Sequence, residues 1–209
     1  MNFQIDATKF TSDLEMLTEK ESLINTSYLL SYNYFVDYFK KLAFVEEEHV
    51  AIAAHFVYGW MPTILSLDYS KMGEVAASLN KIKNNEVLSV TELETVKACV
   101  NNSLVGASKL LHFVSPNRYA IWDSNIFRYF SAKRSTYGID KVEHYLQYLE
   151  ALKSFAETST FQRLKPRIEA LCHPVSDLRA IEFVLFESVR LHKHKSTGSN
   201  EIVNLSISI

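Results

Sequence analysis

Cysteine is nearly absent from this chain, with Cys99 and Cys172 the only two among 209 residues. Two thiols cannot build a disulfide framework or a cysteine metal site, so both are expected as small buried apolar groups in a cytoplasmic protein. Glycine (5) and proline (4) are scarce too, which argues against long disordered tracts. No stretch of about 18 uncharged apolar residues occurs, so no membrane span is expected. The N-terminus, MNFQIDATKF, lacks the basic start and apolar run of a secretory signal. A net charge of −2 argues against a strongly electrostatic DNA-coating protein. That small net value hides an asymmetry. Residues 1–108 carry 8 basic and 14 acidic side chains, and residues 109–209 carry 14 and 10. The basic half is able to attract phosphates, although an unevenly charged solvated surface accounts for the same balance.

The common catalytic signatures are missing as well. There is no Gly-rich phosphate loop, no Gly-x-Ser-x-Gly elbow and no His-Glu-x-x-His. His192 and His194 flank Lys193, but two solvated histidines do not complete a metal site. His112 lies in an apolar run and reads as a hydrogen-bonded core histidine.

What is present is a helical period. Over 26–44, Tyr28, Leu29, Tyr32, Phe35, Val36 and Phe39 recur at three- and four-residue steps. Further helices are expected over 46–60, 72–83, 91–102 (with a Thr91/Glu94 capping box), 104–113, 138–156, 159–172 and 177–194. Asp123 should cap a helix running on from Ser124, and Pro166 should break the 159–172 helix. The tail differs. After a polar stretch, Ser196 to Asn200, the residues Val203, Leu205, Ile207 and Ile209 alternate with polar ones, which is strand periodicity. Such a strand needs a partner, either the N-terminal QID segment or a second subunit, so an oligomer formed through the tail is one outcome. The expectation is an all-α helical bundle of two lobes over residues 1–195, followed by a flexible or strand-forming tail over 196–209.

One segment concentrates the chemistry: Val105 to Phe130, VGASKLLHFVSPNRYAIWDSNIFRYF. Lys109 follows a Gly106-containing bend at an expected helix start. There both the helix dipole and burial disfavour the ammonium, and an unprotonated amine is a nucleophile. Asp123, fourteen residues on, can be folded back to take a proton or stabilise a cationic sugar. Taken alone, Lys109 also reads as a surface lysine and Asp123 as a plain helix cap.

The segment resembles the core of the helix-hairpin-helix DNA glycosylases, most of all the 8-oxoguanine DNA glycosylase branch and its small bacterial relatives. The resemblance puts the family hairpin at Leu104-Val105-Gly106-Ala107-Ser108, the catalytic lysine at Lys109 and the catalytic aspartate at Asp123, followed by Ile126 and Arg128. The hairpin has one glycine where the family has two, lacks the family's proline, and the Lys-to-Asp interval is several residues shorter. The resemblance implies DNA as partner and a DNA N-glycosylase activity, with an AP-lyase step through a Lys109 Schiff base, chemistry that requires no metal and no organic cofactor. It further implies that Gly106, Ala107 and Ser108 offer amides to a phosphate, with Arg128, Lys133 and Arg134 neutralising others. Tyr58, Trp60 and Trp122 are candidates to stack on an extruded base, and packing in the core is the competing reading for each. A non-catalytic nucleic-acid-binding or defence-associated module on the same scaffold is the alternative, and a nucleotide hydrolase using the same cleft is a third.

Overall fold

The first helix begins at an aspartate. Asp6 Oδ1 accepts the Lys9 amide at 2.7 Å and caps α1 (Ala7–Glu19). Phe10, Leu14 and Leu17 follow at helical steps and are fully buried. The QID segment thus leads into a helix, and the tail residues it is one candidate to pair with lie outside the described residues. Asp6 satisfies an end amide, and three apolar residues on one side supply the packing.

The structure, a computed structural model, describes residues 3–24, 26–60, 63–131 and 135–197, leaving aside the side chains of 26–29, 60 and 193–197. After α1 come α2 (Thr26–Lys41), α3 (Glu47–Trp60), α4 (Met72–Lys83), α5 (Val90–Cys99), α6 (Leu104–Val114), α7 (Ser124–Ser131), α8 (Val142–Ala156), α9 (Ser159–Cys172) and α10 (Asp177–Thr197). The fold is all-α. Among the described residues the only β pairing is an isolated bridge between Leu67 and Val100, and no helix is long and apolar enough to cross a membrane.

The helices pack in two groups. α2 to α6 gather around α4 and α6, while α1 joins α7, α8 and α9 around α10. The chain passes from the first lobe to the second between α6 and α7, and the segment joining them is tied back to α6 by Ser108 and His112.

Several local expectations move. The capping box at α5 is Ser89 with Glu92, two residues before the expected pair, with the same three-residue spacing. α8 starts at Val142 rather than 138 because Gly138, at φ +89°, takes a conformation that leaves the helical region. Pro166 does not break α9. It is exposed, as is Gln162, whose carbonyl loses its helical donor, so water can serve that oxygen. Meanwhile Phe161, Leu164, Ile168 and Cys172 bury the opposite face and hold the helix together. α10 continues through Thr197, past the expected boundary at 195, and the alternating residues Val203 to Ile209 lie outside the described residues.

Candidate functional site

The bend before α6 lies at Val100 to Ser103, not at 104–108. Asn101 (φ 57°) and Asn102 (φ 48°) make a left-handed turn there, a conformation asparagine tolerates better than most residues. Asn101 is anchored from three sides. Its amide donates to the Ser66 carbonyl at 3.0 Å, its Oδ1 accepts the Ser66 amide at 2.6 Å, and its Nδ2 donates to the Ile64 carbonyl at 2.9 Å.

The amides at the start of α6 are already taken. Leu104 N–H donates to Asp140 Oδ1 at 3.0 Å, Gly106 N–H to Ser103 Oγ at 3.3 Å, and Ala107 N–H to the Ser103 carbonyl at 3.0 Å. Gly106, Ala107 and Ser108 lie inside the helix and are buried. The phosphate cradle expected of these three is therefore corrected: they are packing residues. A Cβ on Gly106 would lie 2.3 Å from the Tyr58 hydroxyl, so this glycine lets the ring of α3 approach the backbone of α6.

The expected base-stacking residues also turn inward. Tyr58 is buried, donates its hydroxyl to the Val100 carbonyl at 3.1 Å, and has its phenol pushed up to about 12 by burial. Trp122 is fully buried among the rings of Tyr148 (5.0 Å), Phe127 (5.8 Å), Phe3 (6.2 Å) and Tyr145 (6.3 Å), with its indole N–H given to the Ile139 carbonyl at 2.8 Å. Neither ring presents a face to an extruded base, and that expectation is corrected for both. The Trp60 side chain, Lys133 and Arg134 lie outside the described residues. Arg128 is half-buried and its Nη1 donates to Ser124 Oγ at 3.0 Å.

Lys109 and Asp123 do share an environment. Lys109 is half-buried in the second turn of α6, beyond the reach of the helix-end dipole, so burial is what pushes its amine down to about 8. The Asp123 carboxylate acts on the same amine in the opposite direction, and the buried Arg179 guanidinium reinforces the burial. Asp123 Oδ1 accepts the amides of Asn125 (2.8 Å) and Ile126 (2.9 Å), capping α7 as its position anticipates.

A clamped segment sets Asp123 in place. The Tyr119 carbonyl accepts from His112 Nδ1 at 2.6 Å, Ala120 from the Tyr145 hydroxyl at 2.9 Å, and Ile121 from the Tyr148 hydroxyl at 3.0 Å. The Trp122 amide donates to Ser108 Oγ at 3.0 Å. Four consecutive residues are thus tied to buried side chains of α6 and α8, and Asp123 is the next residue along.

His112, a core histidine as expected, is fully enclosed. With Nδ1 on a carbonyl, its Nε2 accepts the Tyr32 hydroxyl at 2.8 Å, and burial pushes it down to about 3, so the ring is neutral. Arg179 lies over the Tyr32 ring, 5.3 Å from its centroid, and pairs with Glu182. Among the described residues one group, Glu46, Glu48 and His49, brings three ligand-type atoms within 4.8 Å of one another. Its members lie on the surface at the start of α3, where His49 Nδ1 accepts the Glu46 amide. An open cleft of about 630 Å³, lined by Phe3, Gln4, Gln147, Glu150 and Ser154 among others, touches neither Lys109 nor Asp123.

Three residues that matter here carry no local signal: Tyr32 looks like an ordinary helix residue, Asp140 like a turn residue, and Arg179 like a surface cation in the first turn of a helix. Ser108 is singled out by the resemblance for a phosphate, and its bond to the Trp122 backbone has no local signal either. In comparisons with known proteins, no family model, no curated sequence and no solved structure matches this chain.

Proposed function

We propose that the chain is a DNA N-glycosylase with an associated lyase step, acting through Lys109 and Asp123. The observation that carries the reading is the shared environment of this pair: a lysine whose amine burial pushes down to about 8, and a helix-capping aspartate acting on it from the other lobe. An amine near 8 is partly unprotonated at neutral pH, which a nucleophilic lysine requires. A target nucleotide leaves the duplex for the seam. Lys109 Nζ bonds to the sugar C1′ as the C1′–N bond breaks, and its electron pair departs with the base. The proton lost by the amine passes through Asp123 to the departing base, and the carboxylate steadies the cationic sugar on the way. The C1′–O4′ bond then breaks, O4′ takes the remaining amine proton, and an imine is left between Lys109 and C1′; in the lyase step a C2′ proton is lost and the 3′ phosphate departs with the C3′–O electron pair. Such a protein works where DNA is, and the two buried free thiols fit a reducing cytoplasm.

Borohydride trapping on oligonucleotides carrying oxidised, alkylated or deaminated bases tests the reading. Wild type should give a covalent complex and Lys109→Gln none. A chain that traps no substrate, or a Lys109→Gln variant that still traps, overturns it.

A second reading is a helical nucleic-acid-binding module without excision. One observation favours the loss of excision: the first amides of α6 are spent on Asp140 and Ser103, so no phosphate is gripped beside Lys109 and a duplex would be held on other surfaces. Duplex binding with no trapped complex would select this reading.

A further inference from the structure

Arg179 is a buried arginine with no part in the chemistry above. It lies in the first turn of α10, where its amide donates to Ser176 Oγ at 3.2 Å, and that hydroxyl donates to the Pro116 carbonyl at 2.8 Å. The start of α10 is thereby pinned to the loop running from α6 to Asp123. The Arg179 side chain is paired with Glu182, whose residue is 1% exposed, and rests over the Tyr32 ring. The Tyr32 hydroxyl bonds to His112, one turn after Lys109 on α6. The guanidinium therefore enters from the second lobe beside the Tyr32–His112 pair of the first, and His112 lies one turn of α6 from Lys109.

We propose that Arg179 is a positioning residue for Lys109: a cation sited by Glu182 and the Tyr32 face, which disfavours a second positive charge on the lysine amine and keeps more of it nucleophilic. This rests on the reading of Lys109 as the reacting amine. The groups sharing this interior come from six elements: Tyr32 of α2, His112 of α6, Asp123 before α7, Tyr148 of α8, Cys172 of α9, and Arg179 with Glu182 of α10. Burial keeps most of them uncharged. It pushes Tyr32 up to about 12, Cys172 up to about 11 and Tyr148 well upward, and it pushes His112 down to about 3. The charges that act on Lys109 are the Asp123 carboxylate and the Arg179 guanidinium, with Glu182 entering only as the counter-ion that offsets Arg179. An arginine in a protein does not give up its proton, so of the two cationic side chains lysine is the one that yields. A buried ion pair is a weak packing device, since apolar residues of similar volume serve as well. Its siting beside an amine that must lose a proton supplies a use for the charge itself.

The test is the pH dependence of Lys109 acetylation by acetic anhydride in the intact chain, read by peptide mass spectrometry, with no DNA present. Wild type should titrate near 8. Arg179→Gln should move the midpoint upward and slow labelling at pH 7 by roughly threefold, a modest like-charge effect at partly shielded range. Arg179→Lys should stay close to wild type. Glu182→Gln, which keeps the cation and removes its counter-ion, should move the midpoint downward. A merely structural Arg179 would lower the melting temperature and leave the midpoint where it is, and an unmoved midpoint in folded Arg179→Gln overturns the proposal. If that variant does not fold, Glu182→Gln decides, a downward shift supporting the proposal and an unmoved midpoint ending it. Failure of borohydride trapping alongside a shifted acetylation midpoint would remove the glycosylase reading and leave the Arg179–Lys109 coupling standing.

Discussion

Ser108 and Trp122 are joined at the backbone. Ser108 Oγ accepts the Trp122 amide at 3.0 Å and lies 3.2 Å from the Trp122 carbonyl, while also donating to the Val105 carbonyl at 2.9 Å. The serine precedes Lys109 and the tryptophan precedes Asp123. One buried hydroxyl thus ties the two lobes together at the candidate pair.

Removing that hydroxyl should be felt twice. Ser108→Ala leaves the buried Trp122 amide without a partner, which costs about 1–3 kcal/mol. Thermal melting should report the loss. Borohydride trapping, where wild type supports it, should slow by more than the unfolded fraction accounts for.

Gly106→Ala should be more damaging than a glycine-to-alanine change within a helix normally is. The added Cβ would meet the Tyr58 hydroxyl at 2.3 Å and its ring carbons at 2.9 Å, although alanine is the better helix former by about 1 kcal/mol. Overpacking of this kind costs about 1–3 kcal/mol. Combining it with Tyr58→Phe should recover part of the loss, because the nearest clashing atom is gone. A double-mutant cycle in urea measures the recovery.

His112 should make the fold acid-sensitive. Its ordinary value is 6.5 and in the fold it is pushed down to about 3, so the unfolded chain takes up a proton over a range where the native chain does not. The stability tied to its neutral form is complete above pH 6.5 and falls as pH drops towards 3, by at most about 1.4 kcal/mol per unit. His112→Asn should be less stable at pH 7 yet lose less between pH 6 and 4. Urea midpoints for both proteins across that range decide the point.

Asp140 should oppose anion binding at α6. Asp140→Asn weakens a cap bond at Leu104, for a cost within about 0.5–2 kcal/mol, and removes a negative charge from a helix start. On either DNA-binding reading, affinity for a short duplex should rise while the melting temperature falls. Fluorescence anisotropy at fixed salt measures the first.

Pro166→Ala should stabilise the chain. It restores a donor for the Gln162 carbonyl in the middle of α9 and removes a residue about 3 kcal/mol worse than alanine in a helix interior. A raised melting temperature is the expected result, and an unchanged one would mean that α9 has already adapted around the ring.

Much of the fold follows from the sequence alone, because helix boundaries are local events. Asp123 ahead of Ser124 and the apolar steps of α2, α3, α4 and α9 are readable as written, since a cap bond or a buried stripe involves residues three or four apart. The capping box at α5 and the start of α8 slipped by a few residues, because Ser89 and Thr91 both offer a cap and only the turn at Gly138 settles where α8 begins. The candidate pair is legible as a lysine and an aspartate fourteen residues apart. Tertiary structure alone decided everything that depends on distance across the chain. Trp122 and Tyr58 face the core because rings from other helices surround them, and Asp140 reaches the start of α6 from thirty-six residues away. Burial, which pushes Lys109 down to about 8, is a property of the packed seam between two lobes and has no counterpart in the residues on either side of it.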